Sequence, residues 1–147
     1  MSAEQNKEQN KEIVRRAIVA SSRGDMEGFL ADAADDVTLT VMGSMFPPIQ
    51  GKQKVLKGLR NSLVARLEGG GAIAMTIENL IAEGDYVAEQ ARGKARTKDG
   101  KDYNNTYCRV WRITDGKVRA MQEYLDTELV RACLVDKEET KSQGGFR

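Results

Sequence analysis

The sequence predicts an α+β domain: a cone-shaped, strongly curved antiparallel sheet wrapped around three N-terminal helices, with a short C-terminal helix after the last strand. Three observations predict it. Amphipathic helical stretches dominate the chain up to the run Gly69-Gly70-Gly71. Turn-forming sequences then recur at Glu83-Gly84-Asp85, Lys98-Asp99-Gly100-Lys101 and Thr114-Asp115-Gly116-Lys117, with evenly spaced glycines. The stretches between those turns are rich in Val, Ile, Tyr, Thr and Trp, as an antiparallel meander of four strands requires. Strands that long bend rather than stay flat, and the helices are the material available to fill the concave side.

The elements follow in order. Ile13, Val14, Ala17 and Ile18 recur at helical spacing until Gly24. Asp25 can cap a second, short helix whose apolar side is Met26, Phe29, Leu30 and Ala33, before "DDVTLTVM" switches to the alternation of a strand. "GSMFPPIQG", Gly43 to Gly51, cannot continue that strand, because Pro47 and Pro48 donate no ladder hydrogen bonds. Met45, Phe46 and Ile49 are too apolar for an ordinary loop, which places the segment over a pocket mouth. A third helix carries Val55, Leu56, Leu59, Leu63 and Leu67 on one stripe. After the meander, Asp126 or Thr127 caps a final helix to Val135.

One domain is expected over residues 12–135, flanked by a flexible polar segment at 1–11 and a flexible tail at 136–147. The 23 Lys+Arg and 22 Asp+Glu of the 147 residues nearly cancel without a long run of either sign. No nucleic-acid or membrane partner is expected. Two cysteines without metal-ligand spacing and no membrane-length apolar run favour a reduced, cytoplasmic setting. The absence of histidine removes histidine bases, serine–histidine mechanisms and nearly every common zinc or iron site. Acid–base chemistry therefore falls to carboxylates, tyrosine, lysine or cysteine, with neither metal nor cofactor expected.

Four motifs carry a resemblance: "GD" at Gly24-Asp25, "PPIQGK" from Pro47, "DGKDYNN" from Asp99 and "DGKVRAMQEYLD" from Asp115. Their order and spacing resemble the nuclear transport factor 2-like superfamily, in its SnoaL-like and limonene-epoxide-hydrolase-like branch. The resemblance implies a cystatin-like α+β barrel and leaves the reaction open, because the branch holds isomerases, epoxide hydrolases, polyketide cyclases and many proteins without known activity. The epoxide hydrolase's Glu-Arg-x-Asp motif corresponds to "EQAR", Glu89 to Arg92, so its arginine becomes Gln90 and its first aspartate Arg92. Its last-strand aspartate matches Glu123, and its water-positioning Tyr and Asn fall near Val41 and Gly43. The resemblance therefore does not imply that enzyme's carboxylate–arginine–carboxylate arrangement. "TLTVM" likewise offers no carboxylate where a ketosteroid isomerase's base would be sought.

Turn lengths set the register. A two-residue loop at Asp99-Gly100 places Arg92 opposite Tyr107. A three-residue loop ending at Gly116 places Tyr107 opposite Glu123, whereas a two-residue loop there places Cys108 opposite Glu123. The residues alone leave both open, and the resemblance agrees with the first, which lines up Arg92, Tyr107 and Glu123. In β-alternation Gln90, Arg92, Lys94, Arg96 and Lys98 share one face. They read either as a solvated outer face or, following the resemblance, as turning Gln90 and Arg92 inward.

The expected site therefore has Glu123 as proton-moving carboxylate, with Arg92 and Tyr107 stabilising a developing oxyanion. Gln90, Asn105, Met121, Leu125, Met45 and Phe46 are expected to bind the ligand. The expected function is binding of a small organic molecule by a homodimer, with cofactor-independent isomerase, cyclase, lyase or hydrolase-like chemistry. The competing expectation is a non-catalytic ligand-binding or dimeric assembly module holding a structural Arg–Glu pair.

Overall fold

The computed structural model describes residues 1–135, so the tail 136–147 lies outside the described residues. Helix α1 (Ala3–Ser22) begins well before Lys11. The Ser2 hydroxyl accepts from the Gln5 amide while the Gln5 side chain accepts from the Ser2 amide, a reciprocal cap that satisfies two otherwise orphaned donors. Good helix formers follow, with Glu4–Lys7, Glu8–Lys11 and Glu12–Arg15 ion pairs three residues apart. The segment 1–11 expected to be flexible is thus mostly helix, and its polarity is that of a solvated helical face.

Asp25 caps α2 (Met26–Phe29), accepting from the Gly28 amide at 2.8 Å. Strand β1 (Ala33–Val41), short strand β2 (Ile49–Gln50) and helix α3 (Lys52–Leu59) follow, and α3 widens into a π turn at Arg60–Val64. A 3₁₀ turn at Gly69–Gly71 leads to the meander β3 (Ala74–Glu83), β4 (Tyr86–Lys94), β5 (Thr106–Thr114) and β6 (Lys117–Leu125), then α4 (Thr127–Leu134). The sheet order is β2-β1-β6-β5-β4-β3. The meander is antiparallel as expected, but β1 lies parallel to β6, so the six-stranded sheet is mixed. No hairpin joins β1 to β6, and nothing local forces their directions to oppose.

Two hydrophobic clusters fill the concave side. One joins Val14, Ile18, Val37 and Val55 to Val87, Trp111, Ile113 and Met121. The other packs Leu67, Ile73 and Tyr103 with Val130 and Leu134 of α4. Each such fully buried aliphatic or aromatic side chain contributes about 1.5–3 kcal/mol.

The β4–β5 loop length is corrected, and the last hairpin takes the two-residue loop, one of the two lengths the residues left open. The Thr97 amide donates to the Lys101 carbonyl at 2.8 Å, and Gly100 has φ +93°, so the β4–β5 loop holds three residues rather than two. That moves the register by one: Arg92 lies opposite Thr106, and Tyr107 lies opposite Ala91. At the last hairpin Thr114 pairs with Lys117, and Asp115 (φ 51°) and Gly116 (φ 71°) form a two-residue loop with both central residues left-handed. A bulge follows at once: Ile113 pairs with Val118 but Arg112 with Ala120, leaving Arg119 extra. Its guanidinium donates to the Thr114 hydroxyl at 2.8 Å and the Thr114 carbonyl at 3.2 Å, tying the bulge to the turn. Glu123 consequently faces Arg109, rather than Tyr107 or Cys108.

Candidate functional site

A register shift of one reverses the faces of a strand. On β4 the inward residues are Val87, Glu89, Ala91 and Gly93, while Gln90 and Arg92 point to the outer face. There the Asn79 side-chain amide donates to Gln90, and Arg92 Nε donates to Glu78 at 3.0 Å with 67% of the Arg92 side chain exposed. The solvated-face reading of the basic set is the one the structure follows. Small residues on the inward face make room for Tyr107: a Cβ on Gly93 would lie 2.6 Å from Ile73 Cγ2 and 3.1 Å from Tyr107 Cε1. Gly93→Ala is therefore expected to cost about 1–3 kcal/mol in urea unfolding and to displace the Tyr107 ring.

The inward face carries a row of three charged residues. Glu89 on β4, Arg109 on β5 and Glu123 on β6 pair across consecutive strands. Arg109 Nε donates to Glu123 Oε2 at 2.8 Å, and Nη1 donates to both oxygens of Glu89 at 3.3 and 3.4 Å. Trp111 Nε1 donates to Glu89 Oε1 at 2.9 Å, and the guanidinium carbon lies 4.6 Å from the centre of the Tyr107 ring. Glu89 is fully buried and Arg109 nearly so, whereas the Glu123 side chain keeps 13% exposure. Burial alone would favour loss of the Arg109 proton, but Glu89 and Glu123 outweigh it and raise its pKa, so the guanidinium stays charged.

A cavity of about 620 Å³ opens over this row. Arg109, Glu123 and Tyr107 form part of its wall, while Phe29, Leu39, Phe46, Ile49 and Leu63 supply apolar surface and α4 adds Val130 and Leu134. The π turn contributes Asn61 and Ser62; such widened turns recur at functional sites. Glu123 Oε2 is held by Arg109, and Oε1 accepts no hydrogen bond from a described residue.

Of the expected site residues, Glu123, Tyr107, Leu125 and Phe46 line this cavity. Arg92 and Gln90 do not, because they face outward. Met121 packs in the core opposite Trp111, and Met45 packs against the second cluster. Asn105 is buried beside the cavity wall, donating to the Tyr103 hydroxyl and the Asp126 carbonyl and accepting from the Asp126 amide, so it joins β5 to the start of α4. Sequence reasoning missed Arg109 and Glu89. Their signal was available: each is a charge set within an otherwise apolar or small alternation, Tyr107-Arg109-Trp111-Ile113 and Val87-Glu89-Ala91.

Two tyrosines complete the wall. The Tyr107 hydroxyl, beside that of Tyr103, is buried without a partner at hydrogen-bond geometry. Burial pushes Tyr107 well above its ordinary pKa and Tyr103 from 10.0 to about 12, so both remain neutral O–H groups at physiological pH. The native protein keeps the Tyr103 proton where the unfolded chain loses it. The resulting stability is complete below pH 10 and is lost as pH rises from 10 through 12, roughly 2–3 kcal/mol in all. Wild type should therefore lose more unfolding free energy than Tyr103→Phe across that interval. Equal losses would assign the alkaline sensitivity elsewhere.

No group of His, Cys, Asp and Glu suited to a metal ion occurs among the described residues, and no helix there is long and apolar enough to cross a membrane.

The chain matches the family model described as SnoaL-like domain over residues 14–121. A search of curated proteins returns no significant match. Among solved structures, an NTF2-like protein of unknown function from Burkholderia pseudomallei superposes with a TM-score of 0.75 at 20% identity, covering 87% of this chain and 98% of that one. An LEH-like epoxide hydrolase from M. tuberculosis gives 0.71 at 17% identity, over 94% and 98% of the two chains. A putative SnoaL-like polyketide cyclase from Jannaschia sp. gives 0.70 at 16%, over 87% and 92%. At these identities the likeness carries the fold.

Proposed function

The chain belongs to the SnoaL-like domain family, and from that premise we propose that it binds a small organic molecule in the cavity above Glu123 and transforms it by cofactor-independent acid–base chemistry. The observation that carries this reading is the division of the Glu123 carboxylate: Oε2 is anchored by Arg109 and Oε1 is left for the ligand. Anchoring orients the group, and the open oxygen takes or returns a proton. Tyr107, held neutral by burial, supplies an O–H donor to negative charge developing nearby, and Arg109, committed to the two carboxylates, fixes the orientation of Glu123. Arg109, rather than the expected Arg92, is the arginine beside Glu123.

The reaction class is isomerase, cyclase, lyase or hydrolase-like, in keeping with similar folds described as an epoxide hydrolase and a polyketide cyclase. A two-carboxylate mechanism is not part of the proposal. Although a carboxylate–arginine–carboxylate row exists, with Glu123 at the position the resemblance suggested but its arginine on β5 rather than β4, Glu89 is fully buried against Arg109 and lines no part of the cavity. The protein is proposed to act as a cytoplasmic homodimer through the outer sheet face, where Ile81, Tyr86 and Tyr124 are exposed.

One observation favours the non-catalytic reading: Glu123 is ion-paired. Neutralising each acid separates the two. Glu123→Gln removes the surplus negative charge of the row and should leave stability within about 0.5 kcal/mol of wild type or raise it. Glu89→Gln, which weakens the buried hydrogen bonds from Arg109 and Trp111, should cost about 1–3 kcal/mol. A loss at Glu123 equal to that at Glu89 would mark both as structural. Thermal-shift screening of carbonyl compounds, epoxides and alcohols would then identify bound ligands, and following each by product analysis would pick out one that is turned over. Glu123→Gln should lower its turnover about 10²–10⁴-fold while the fold persists.

A further inference from the structure

The charge balance of the row says more about the ligand than its geometry does. Two carboxylates, Glu89 and Glu123, share one guanidinium, leaving a surplus negative charge in a place almost closed to water. Arg109 is turned toward both acids by Nε and Nη1 and covered by the Tyr107 ring, so it is not an open anion receptor. Arg66, the other basic residue of the wall, already has an interaction of its own. Glu123 Oε1 can only accept a hydrogen bond. The remaining wall is largely apolar and roomy enough for a bicyclic ring system.

We propose that this cavity selects apolar ligands whose polar end is a non-anionic hydrogen-bond donor, an alcohol or a protonated amine, held at Glu123, and that it rejects carboxylates. The proposal rests on the reading that the cavity is the ligand site, and deepens it. A surplus charge about 6 Å from a ligand head group at an effective dielectric of roughly 20 discriminates about 10–100-fold between a carboxylate and a matched neutral group.

Three probes share one skeleton: 2-naphthylmethylamine, 2-naphthalenemethanol and 2-naphthoate, titrated calorimetrically into the whole protein at neutral pH and moderate salt. The amine and the alcohol should each bind at least ~10-fold more tightly than the carboxylate. Glu123→Gln balances the row. It should weaken the amine, leave the alcohol within about threefold and bring the carboxylate to comparable affinity. Naphthoate binding as tightly as the alcohol in wild type overturns the charge selection but leaves the ligand-site reading standing. Binding of none of the three overturns the ligand-site reading and the inference with it. Amine binding unchanged by Glu123→Gln overturns the assignment to this carboxylate. The wild-type ranking decides the selection even where the variant does not fold.

Discussion

Arg109→Met is expected to lower the unfolding free energy by about 3–5 kcal/mol, among the largest losses any single substitution should produce in this protein. Arg109 joins Glu89 and Glu123 and is nearly closed to water, being 4% exposed. Methionine matches much of its volume, so the loss would come from two neighbouring buried carboxylates left facing one another without a counter-ion, not from a void. The test is a series. Adding Glu89→Gln and Glu123→Gln to Arg109→Met should recover most of the loss in urea unfolding, because the triple variant buries no net charge. A triple variant as unstable as the single one would show that Arg109 matters through packing, against Tyr107 at 4.6 Å and Phe29 at 5.8 Å.

Trp111→Ala should cost about 3–5 kcal/mol or more, for two separable reasons. The indole is fully buried between Val87 and Met121 on the neighbouring strands and meets Phe29 edge-on at 5.8 Å between ring centres. Its Nε1–H also supplies the Glu89 hydrogen bond not made by Arg109. Trp111→Phe keeps most of the ring and drops the donor, and should cost about 1–3 kcal/mol. The difference between the variants measures the packing contribution. Because Trp111 is the only tryptophan, unfolding should be followed by circular dichroism rather than intrinsic fluorescence.

The two substitutions test a region the sequence described only in outline. The alternation on β5, Tyr107-Arg109-Trp111-Ile113, shows that one face is buried and that an arginine sits in it. Glu123 between Met121 and Leu125 carries the same message for β6. What the alternation does not show is which inward charges meet, and that depends on counting residues through two loops. A three-residue loop at Lys98-Asp99-Gly100 moves Arg92 to the outside and brings Glu89 in. At the last hairpin the three-residue loop favoured by the resemblance and the observed two-residue loop with a bulge at Arg119 put Glu123 on the same face, but one inward pair further along. Asp-Gly is compatible with either loop length, so local turn chemistry could not decide.

The N-terminal segment shows the reverse case. Ser2 and Gln5 carry a legible capping box, and the Glu–Lys spacing that follows is helical. Composition alone drew attention to polarity and away from that local pattern.

By itself the sequence determined the fold class, the helix-then-meander order, the exclusion of histidine chemistry, and Glu123 as an acid on a strand face it shares with apolar neighbours. These follow from period and composition, which are properties of short stretches. The tertiary structure alone decided that Arg109 rather than Arg92 meets Glu123, that Glu89 is buried against it, and that β1 closes the sheet parallel to β6. Each depends on where strands distant in sequence align. One residue in a loop or bulge changes that alignment by a whole side-chain position, at an energy difference too small for local propensity to register.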